Sequence, residues 1–350
     1  MMIEKSLEKF LNEAVKEVSE SVIKDITKNA TLKIEENLIN DFGFKPQVLT
    51  VKTLDKETNI KGVTHEMFET ALTIVNQDIP LYLSGPAGTG KNVICKQIAE
   101  ALDLNFYFSN AVTQEYKLTG FIDGMGKYQE TQFYKAFTEG GLFFLDEIDA
   151  SIPEVLVILN AAIANRYFDF PVGKIEAHKD FRVIAAGNTT GTGADLNYTG
   201  RYSLDKASLD RFAMIEINYS PAIEQAMARN DKELVDFVHF FRNAATQSDI
   251  NCLFTYRSID RIATLSKIMD NLLNVFEIAL LKGLPTDDLH ILTTKMVQEW
   301  GERNMFLNKY GKLFIENFYP EHKPAEYETY KKQKRREEVF TLHHLSFKER

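Results

Sequence analysis

Residues 85–92 read GPAGTGKN, and this short stretch decides the fold class. It lies between the apolar run PLYLSG at 80–85 and the amphipathic run NVICKQIAEAL at 92–102. Glycines let the backbone turn tightly, so that successive amide N–H groups point inward and form an anion site. The start of the following helix and the charge of Lys91 strengthen the attraction for phosphate. The sequence therefore predicts a phosphate-binding loop between a strand and a helix.

The residues of this loop are the predicted nucleotide contacts. Lys91 is expected to bind the β- and γ-phosphates, and Asn92 stands where such loops usually carry the Ser or Thr that binds Mg²⁺. An amide oxygen is also a hard ligand, but it is differently placed, and Mg²⁺ demands near-ideal octahedral geometry. Asn92 therefore ligates the metal directly, ligates it through water, or weakens its binding. The predicted contacts are Gly85, Pro86, Ala87, Gly88, Thr89, Gly90, Lys91, Asn92 and Val93.

A second motif lies in GGLFFLDEID at 140–149. Its apolar residues 142–145 predict a buried strand, and two carboxylates follow at the carboxyl end, where open α/β sheets bind ligands. We expect Asp146 to hold Mg²⁺ together with Asn92, and Glu147 to orient and polarise the attacking water. An acidic helix cap after a core strand is the plainer alternative, which the neighbouring phosphate loop disfavours.

Asn188 ends a further apolar run, FRVIAAGN at 181–188. An amide at this place can hold the attacking water and sense the γ-phosphate, whereas GN seen alone usually marks a turn. Strand-like runs alternate with helical or loop stretches, which predicts a parallel α/β sheet covered on both faces. The five predicted strands are PLYLSG (80–85), NFYFSN (105–110), GGLFFLDE (140–147), FRVIAAGN (181–188) and AMIEINYS (213–220).

In this order the motifs resemble those of the AAA+ ATPases, and within them the MoxR-type group, which includes the ATPase subunits of magnesium and cobalt chelatases. The resemblance covers roughly residues 60–300. It implies an α/β fold, with a parallel-sheet P-loop AAA+ core and a helical lid domain. Besides the loop, it rests on a helix-2-insert-like segment at 113–149, a hairpin before the predicted sensor at 152–188, SLDRF at 208–212 and TYRSIDR at 255–261.

The same resemblance implies a homo-oligomeric ring, usually a hexamer, with ATP and Mg²⁺ at each subunit boundary. Arg211 in LDRF then corresponds to the arginine finger that enters the neighbour's site, worth roughly 10³ to 10⁵ in rate in related systems. Arg201 in TGRY is the rival for that role. Arg257 in TYRS corresponds to the second sensor, which contacts the phosphates from the lid. His65, just before the core, either stacks on the adenine, caps a helix or is solvent-exposed.

Members of the resembled group commonly remodel a protein partner that carries a von Willebrand factor A domain. The chain has no DxSxS motif, so we expect such a partner to be a separate polypeptide. Two segments have the turn chemistry of hairpins, DGMGKY at 123–128 and FPVGKIEAHK at 170–179. We expect these hairpins to carry the work of remodelling the partner. Their tips either lie near the pore or pack against neighbouring subunits.

The length and the element pattern predict several domains, because 350 residues exceed what one hydrophobic core usually serves. An amphipathic helix at 3–26 and short strands predict a small N-terminal α+β region at 1–60. The AAA+ nucleotide-binding domain is expected at 61–220, the helical lid domain at 221–318 and a polar tail at 319–350.

The charge and the cysteine content exclude several classes of protein. A net charge of −9 argues against broad coating of nucleic acid or of an acidic membrane. Two cysteines are too few for a disulfide framework and suit a reducing cytosol. The start MMIEKSLEKF has no long apolar block, and no apolar run is long enough to span a bilayer. We therefore expect a cytoplasmic protein without membrane contact.

Two other functions stay open from the sequence. A nucleic-acid motor or restriction-type subunit would need basic surfaces, and KKQKRREE at 331–338 is the concentrated basic run. A nucleotide-gated scaffold would assemble on ATP but hydrolyse it slowly, because Asn92 misplaces Mg²⁺. The preferred prediction is a chaperone-like, ATP-hydrolysing ring of the MoxR type that remodels or assembles a protein partner.

Overall fold

The structure is a computed structural model that describes residues 48–52, 57–194 and 198–319. The predicted helix at 3–26 and the basic run in the tail lie outside the described residues. The chain divides into two compact units, Met1–Asn230 and Asp231–Arg350, and each is described by itself. None of the described helices is long and apolar enough to cross a membrane.

The described strands of the first unit form one large sheet and three small ones. In chain order, the strands are β1 Val48–Lys52, β2 Glu57–Lys61, β3 Leu81–Ser84, β4 Phe106–Ser109, β5 Phe121–Ile122, β6 Tyr128–Gln129, β7 Gly141–Leu145, β8 Tyr167–Phe170, β9 Gly173–Glu176, β10 Phe181–Ala186 and β11 Ala213–Glu216.

The large sheet has five strands in the order β11-β3-β10-β7-β4, and every neighbouring pair is parallel. These are the five predicted strands, so the predicted parallel α/β sheet is confirmed. β10 lies at the centre, with β3 on one side and β7 on the other. The register places Ile184 of β10 beside both Leu81 of β3 and Phe144 of β7. The carboxyl ends of these three strands therefore meet at one edge.

The sheet is buried on both faces, because β3 and β7 are apolar at consecutive positions and side chains alternate between the faces. One face packs Tyr82 and Phe143 into a core with Phe133, Phe137 and Phe181. The other face has its own core, to which Leu81, Leu83, Ile94, Ile98 and Phe144 contribute.

Helices cover both faces of the sheet, as strands that alternate with helices require. A 3-10 turn at Ile148–Ala150 follows β7. The helices of the first unit are α1 Phe68–Asn76, α2 Lys91–Ala101, α3 Tyr116–Thr119, α4 Gln132–Glu139, α5 Pro153–Asn165, α6 Lys206–Leu209 and α7 Pro221–Met227.

Three antiparallel pairs stand apart from the large sheet. β1 pairs with β2, β5 with β6 and β8 with β9. The last two pairs confirm the hairpins predicted at 123–128 and 170–179. Met125, in the first of these turns, is 93% exposed, and Val172 in the second is also exposed.

The second unit is helical over its described residues. Its helices pack around an aromatic core that includes Phe237, Phe241, Phe254, Phe276 and Phe314. A π-helical turn at Glu277–Leu281 follows α10. The helices are α8 Lys232–Gln247, α9 Tyr256–Leu265, α10 Leu272–Phe276, α11 Thr286–Trp300, α12 Glu302–Leu307 and α13 Lys309–Phe318.

Phe237 lies at the centre of this aromatic core, so its truncation is expected to destabilise the second unit strongly. Phe237→Ala removes a fully buried ring and leaves a cavity, which costs about 3–5 kcal/mol in the free energy of unfolding. Leu307→Ala is the control, because Leu307 is 71% exposed and its loss is expected to cost less than about 0.5 kcal/mol. Chemical denaturation measures both, and equal losses would contradict the assignment of the core.

Candidate functional site

The predicted phosphate-binding loop connects β3 to α2, as the sequence indicates. Gly85 has a φ of 135°, and a Cβ at this position would lie 2.2 Å from the Ile217 carbonyl oxygen. Gly88 and Gly90 also have positive φ values, 75° and 86°. Only glycine adopts such a series of conformations without strain. The loop therefore has the tight turn on which the predicted anion site depends.

The Lys91 side chain lies over the loop and is almost fully buried, with 7% of its surface exposed. Its Nζ donates to the carbonyl oxygens of Gly85 at 2.7 Å and Pro86 at 2.9 Å. It also donates to Oδ1 of Asn188 at 3.3 Å. The predicted phosphate ligand and the predicted sensor are therefore in direct contact.

Two tyrosines that the sequence analysis did not single out hold the loop at Ala87. The Ala87 N–H donates to the Tyr198 hydroxyl oxygen at 2.9 Å. The Tyr219 hydroxyl donates to the Ala87 carbonyl oxygen at 2.8 Å. The backbone N–H and C=O of Ala87 are thus both fixed by residues more than 100 positions away. No local motif marks either tyrosine, so only the fold could reveal them.

Asp146 and Glu147 follow β7 at the same edge of the sheet. The Asp146 Oδ1 accepts from the Glu147 N–H at 3.0 Å, and the Asn92 side chain lies near the Asp146 carboxylate. Burial raises the pKa of Asp146, and the Glu147 charge adds to the rise. The Asn92 side chain, the Glu147 N–H hydrogen bond and the Lys91 charge oppose it. The two predicted metal ligands, Asn92 and Asp146, therefore lie near each other.

These two groups fit a magnesium site that is shared with a nucleotide. Among the described residues, no group of three or more His, Cys, Asp or Glu side chains could hold a metal ion. Mg²⁺ is usually bound by one or two carboxylates together with substrate phosphates and waters. Asp146 and Asn92 supply the protein's share of such a shell, so the donor set matches this mode of binding.

Asp149 is the functional residue that the sequence analysis missed. Its side chain is fully buried, at 0% exposure, and its Oδ2 accepts from three groups. These are the Asn188 N–H at 2.9 Å, the Thr189 N–H at 3.0 Å and the Thr189 hydroxyl at 3.0 Å. A buried carboxylate requires such partners. Asp149 therefore fixes the backbone at the predicted sensor.

The hydroxyl of Tyr82 completes this network from the strand below. It donates to the Thr189 carbonyl oxygen at 2.6 Å. Burial, with the nearby Asp149 charge, raises the pKa of Tyr82 well above its ordinary value. A Cβ at Gly187, just after β10, would lie 2.2 Å from the Tyr82 hydroxyl oxygen, so a side chain there would displace this hydroxyl. The hydroxyl therefore stays protonated and serves as a donor.

The two candidate finger arginines lie in different surroundings. The Arg201 side chain is 13% exposed and forms ion pairs with Glu147 and Asp149 of its own chain, each at 3.3 Å. Arg211 is exposed, and its guanidinium donates to the Ala207 carbonyl oxygen in the preceding turn. Arg257 is exposed on α9 of the second unit, and its predicted role as a second sensor stays a prediction.

His65 is buried, at 3% exposure, so the solvent-exposed alternative is wrong. Its Nδ1 accepts from the Met67 N–H at 3.1 Å, just before α1, and the stacking and capping alternatives stay predictions. Since Nδ1 is an acceptor, Nε2 carries the proton and donates to the Asn218 carbonyl oxygen at 2.9 Å. His65 therefore joins the start of α1 to the chain after β11.

The three motifs lie at the carboxyl ends of three adjacent strands of an α/β sheet, which defines a P-loop nucleotide-binding domain. Residues 80–212 match the model of the AAA domain, dynein-related subfamily. These residues are therefore similar to an AAA domain, which supports the broader of the two resemblances over this part of the chain. The MoxR type stays a prediction.

The known relatives and solved structures that resemble this chain give no information about its function. An uncharacterized protein of Staphylococcus aureus strain NCTC 8325 is 27% identical over 213 residues, which cover 54% of this chain and 76% of the relative. NtrX from Brucella abortus has a TM-score of 0.38 at 15% identity, over 74% of this chain and 55% of its own. A protein of Cytophaga hutchinsonii has a TM-score of 0.39 at 15% identity, over 80% and 97%. Likenesses with such TM-scores carry no weight on function.

Asp149→Asn tests the buried network, because an amide cannot accept on both sides as the carboxylate does. It leaves either Arg201 or the N–H donors at Asn188 and Thr189 unpaired, so we expect a loss of about 3 kcal/mol in the free energy of unfolding. Asp169→Asn is the control, because Asp169 is exposed on β8 and its substitution is expected to cost less than about 0.5 kcal/mol. Denaturant titration measures both losses, and a similar small loss in each would refute this role.

Proposed function

We propose that the protein binds ATP with Mg²⁺ and hydrolyses it to ADP and phosphate. The observation that carries the proposal is the contact of Lys91 Nζ with Asn188 Oδ1 at 3.3 Å, next to the carboxylates of Asp146 and Glu147. A glycine-rich surface turn does not require a buried lysine, an amide and two carboxylates beside it at one sheet edge. This convergence is what phosphoryl transfer needs, since its catalysis consists largely of positioning and charge stabilisation.

The residues divide the work as follows. The loop amides and Lys91 bind the phosphates, and Asp146 and Asn92 would hold Mg²⁺, which supplies further positive charge to the phosphate oxygens when bound. Glu147 orients a water, whose oxygen bonds to the γ-phosphorus while the bond to the β–γ bridging oxygen breaks. The electron pair of that bond leaves with ADP, and the water's proton passes to Glu147. Asn188 holds the γ-phosphate and the water in place.

We further propose that the active form is a ring of the MoxR type. The exposed guanidinium of Arg211 supports this, because an arginine finger must be accessible to enter a neighbouring subunit's site. The exposed apolar side chains of the β5–β6 hairpin, Phe121, Ile122 and Met125, suit contact with a protein. Remodelling of a separate protein partner, such as one with a von Willebrand factor A domain, is the function that we propose for the ring.

A slowly hydrolysing, nucleotide-gated scaffold is the second candidate, and Asn92 is the observation that favours it. Asn92 lies beside Asp146, and its side chain opposes the rise in the pKa of that carboxyl group. A Thr at this position would instead offer a shorter hydroxyl ligand. The proposal of an active enzyme therefore requires that Asn92 be tolerated as a metal-side residue.

The first test is Mg²⁺-dependent phosphate release from ATP, measured across protein concentrations. Turnover is expected to rise more than linearly with protein, because fingers act between subunits. Glu147→Gln should lower it by about 10²-fold or more, since the side chain can no longer take the proton. Glu154→Gln is the matched control, because Glu154 is exposed on α5, and its rate should equal the wild type. Wild-type release equal to that of Glu147→Gln would refute hydrolysis.

Asn92→Thr separates the two candidates. For a working ATPase in which Asn92 is tolerated, we expect the rate to change by less than about tenfold, since each tenfold corresponds to only about 1.4 kcal/mol in the barrier. Asn92→Ala should lower the rate and raise the Mg²⁺ concentration at half-maximal turnover. If the wild type binds ATP without releasing phosphate and Asn92→Thr restores release, the scaffold is the correct function.

A further inference from the structure

Arg201 forms a bridge between two acidic groups of its own chain. One guanidinium nitrogen lies 3.3 Å from Oε1 of Glu147, and the other lies 3.3 Å from Oδ1 of Asp149. The planar fork of a guanidinium holds such partners in a fixed relative orientation, which a flexible ammonium cannot do. The geometry of the Glu147 side chain is therefore tied to that of Asp149.

Asp149 extends this bridge to the predicted sensor. While its Oδ1 faces Arg201, its Oδ2 accepts from the N–H groups of Asn188 and Thr189. The Asn188 side chain in turn accepts from Lys91 on the phosphate loop. A continuous chain of polar contacts thus runs from Lys91 through Asn188, Asp149 and Arg201 to Glu147. Its two ends are the proposed phosphate ligand and the proposed base.

Burial distinguishes the Asp149–Arg201 ion pair from an exposed salt bridge. Surface salt bridges contribute little, because water screens the charges and the side chains lose entropy. Asp149 is fully buried and the Arg201 side chain is 13% exposed, whereas Glu147 is 40% exposed. The Asp149–Arg201 pair therefore anchors the guanidinium, and Glu147 is the more exposed partner that the guanidinium orients.

We propose that Arg201 is a positioning residue that acts in cis: it orients Glu147 relative to Asn188 within one chain and does not enter a neighbour's site. The inference rests on the proposed hydrolysis and assigns the role of the finger to Arg211. The ion pairs of Arg201 are with Glu147 and Asp149, not with the phosphate loop or Lys91. Arg201 is therefore expected to affect the base and not phosphate binding.

A kinetic split is the first expected result. Arg201→Ala should lower kcat by about 10²-fold, since a misplacement of about 1 Å can cost that much in rate. The Kd for a fluorescent ATP analogue should stay within twofold of the wild type's, because the loop contacts are intact. Arg201→Lys should give an intermediate kcat, since a single ammonium keeps the charge but cannot bridge both carboxylates. A wild-type kcat in Arg201→Ala would overturn the proposal.

A mixing experiment distinguishes action in cis from action in trans. Glu147→Gln subunits lack the base but keep both arginines. Mixed with Arg211→Ala subunits, they should supply the missing finger and restore phosphate release above the sum of the two separate proteins. Mixed with Arg201→Ala subunits, they should restore nothing. The Arg201→Ala subunit keeps its own Glu147, but an arginine on a neighbouring subunit cannot orient it. Restoration in this second mixture would show that Arg201 acts on a neighbour and would overturn the proposal.

The melting temperature gives a readout that does not depend on turnover. Arg201→Ala leaves the buried Asp149 without its cation and should lower the midpoint by about 3 °C or more, whereas Arg211→Ala should leave it within about 1 °C. Equal midpoints for the two variants would overturn the anchoring role. If the wild type bound ATP but released no phosphate, the proposed hydrolysis would fail instead, while this difference in midpoint would still report the Arg201–Asp149 contact.

Discussion

The adjacency of β3, β10 and β7 in one parallel sheet is the constraint on which the site depends. Parallel strands place their carboxyl ends at a common edge, and each of these three strands ends in one part of the site. Because β10 lies in the middle, Asn188 comes between the phosphate loop after β3 and the carboxylates after β7. Its contacts on both sides, with Lys91 Nζ and Asp149 Oδ2, follow from that order.

The buried charge of Asp149 turns this adjacency into a defined geometry. A carboxylate without access to water is strongly disfavoured unless donors and a cation surround it. Satisfying Asp149 therefore orders the sensor backbone and Arg201 at the same time. The Tyr82 hydroxyl and the close approach at Gly187 support the same loop from the strand. Glu147 has the most exposed side chain of the network, and its contact with Arg201 is what holds it.

Much of this architecture could be predicted because its signals are local. Apolar runs of four to six residues are typical of strands buried on both faces, and all five predicted strands formed. The glycine positions of the loop and the carboxylates after β7 are motifs of fixed spacing. Asp149 was missed although it is part of DEID, because nothing in the motif distinguishes a buried hub from an acidic turn residue. Tyr198 and Tyr219 have no local signal at all.

The sequence by itself therefore determined the phosphate loop, the strands and the two carboxylates that follow β7, because each depends on neighbouring residues along the chain. The tertiary structure alone decided the strand order, the burial of Asp149 and the pairing of Arg201 with Glu147. Glu147 and Arg201 are 54 residues apart, and no periodicity or spacing relates them. The physical reason is that a salt bridge depends on distance in space and on exclusion of water, which the chain acquires only when the sheet has formed.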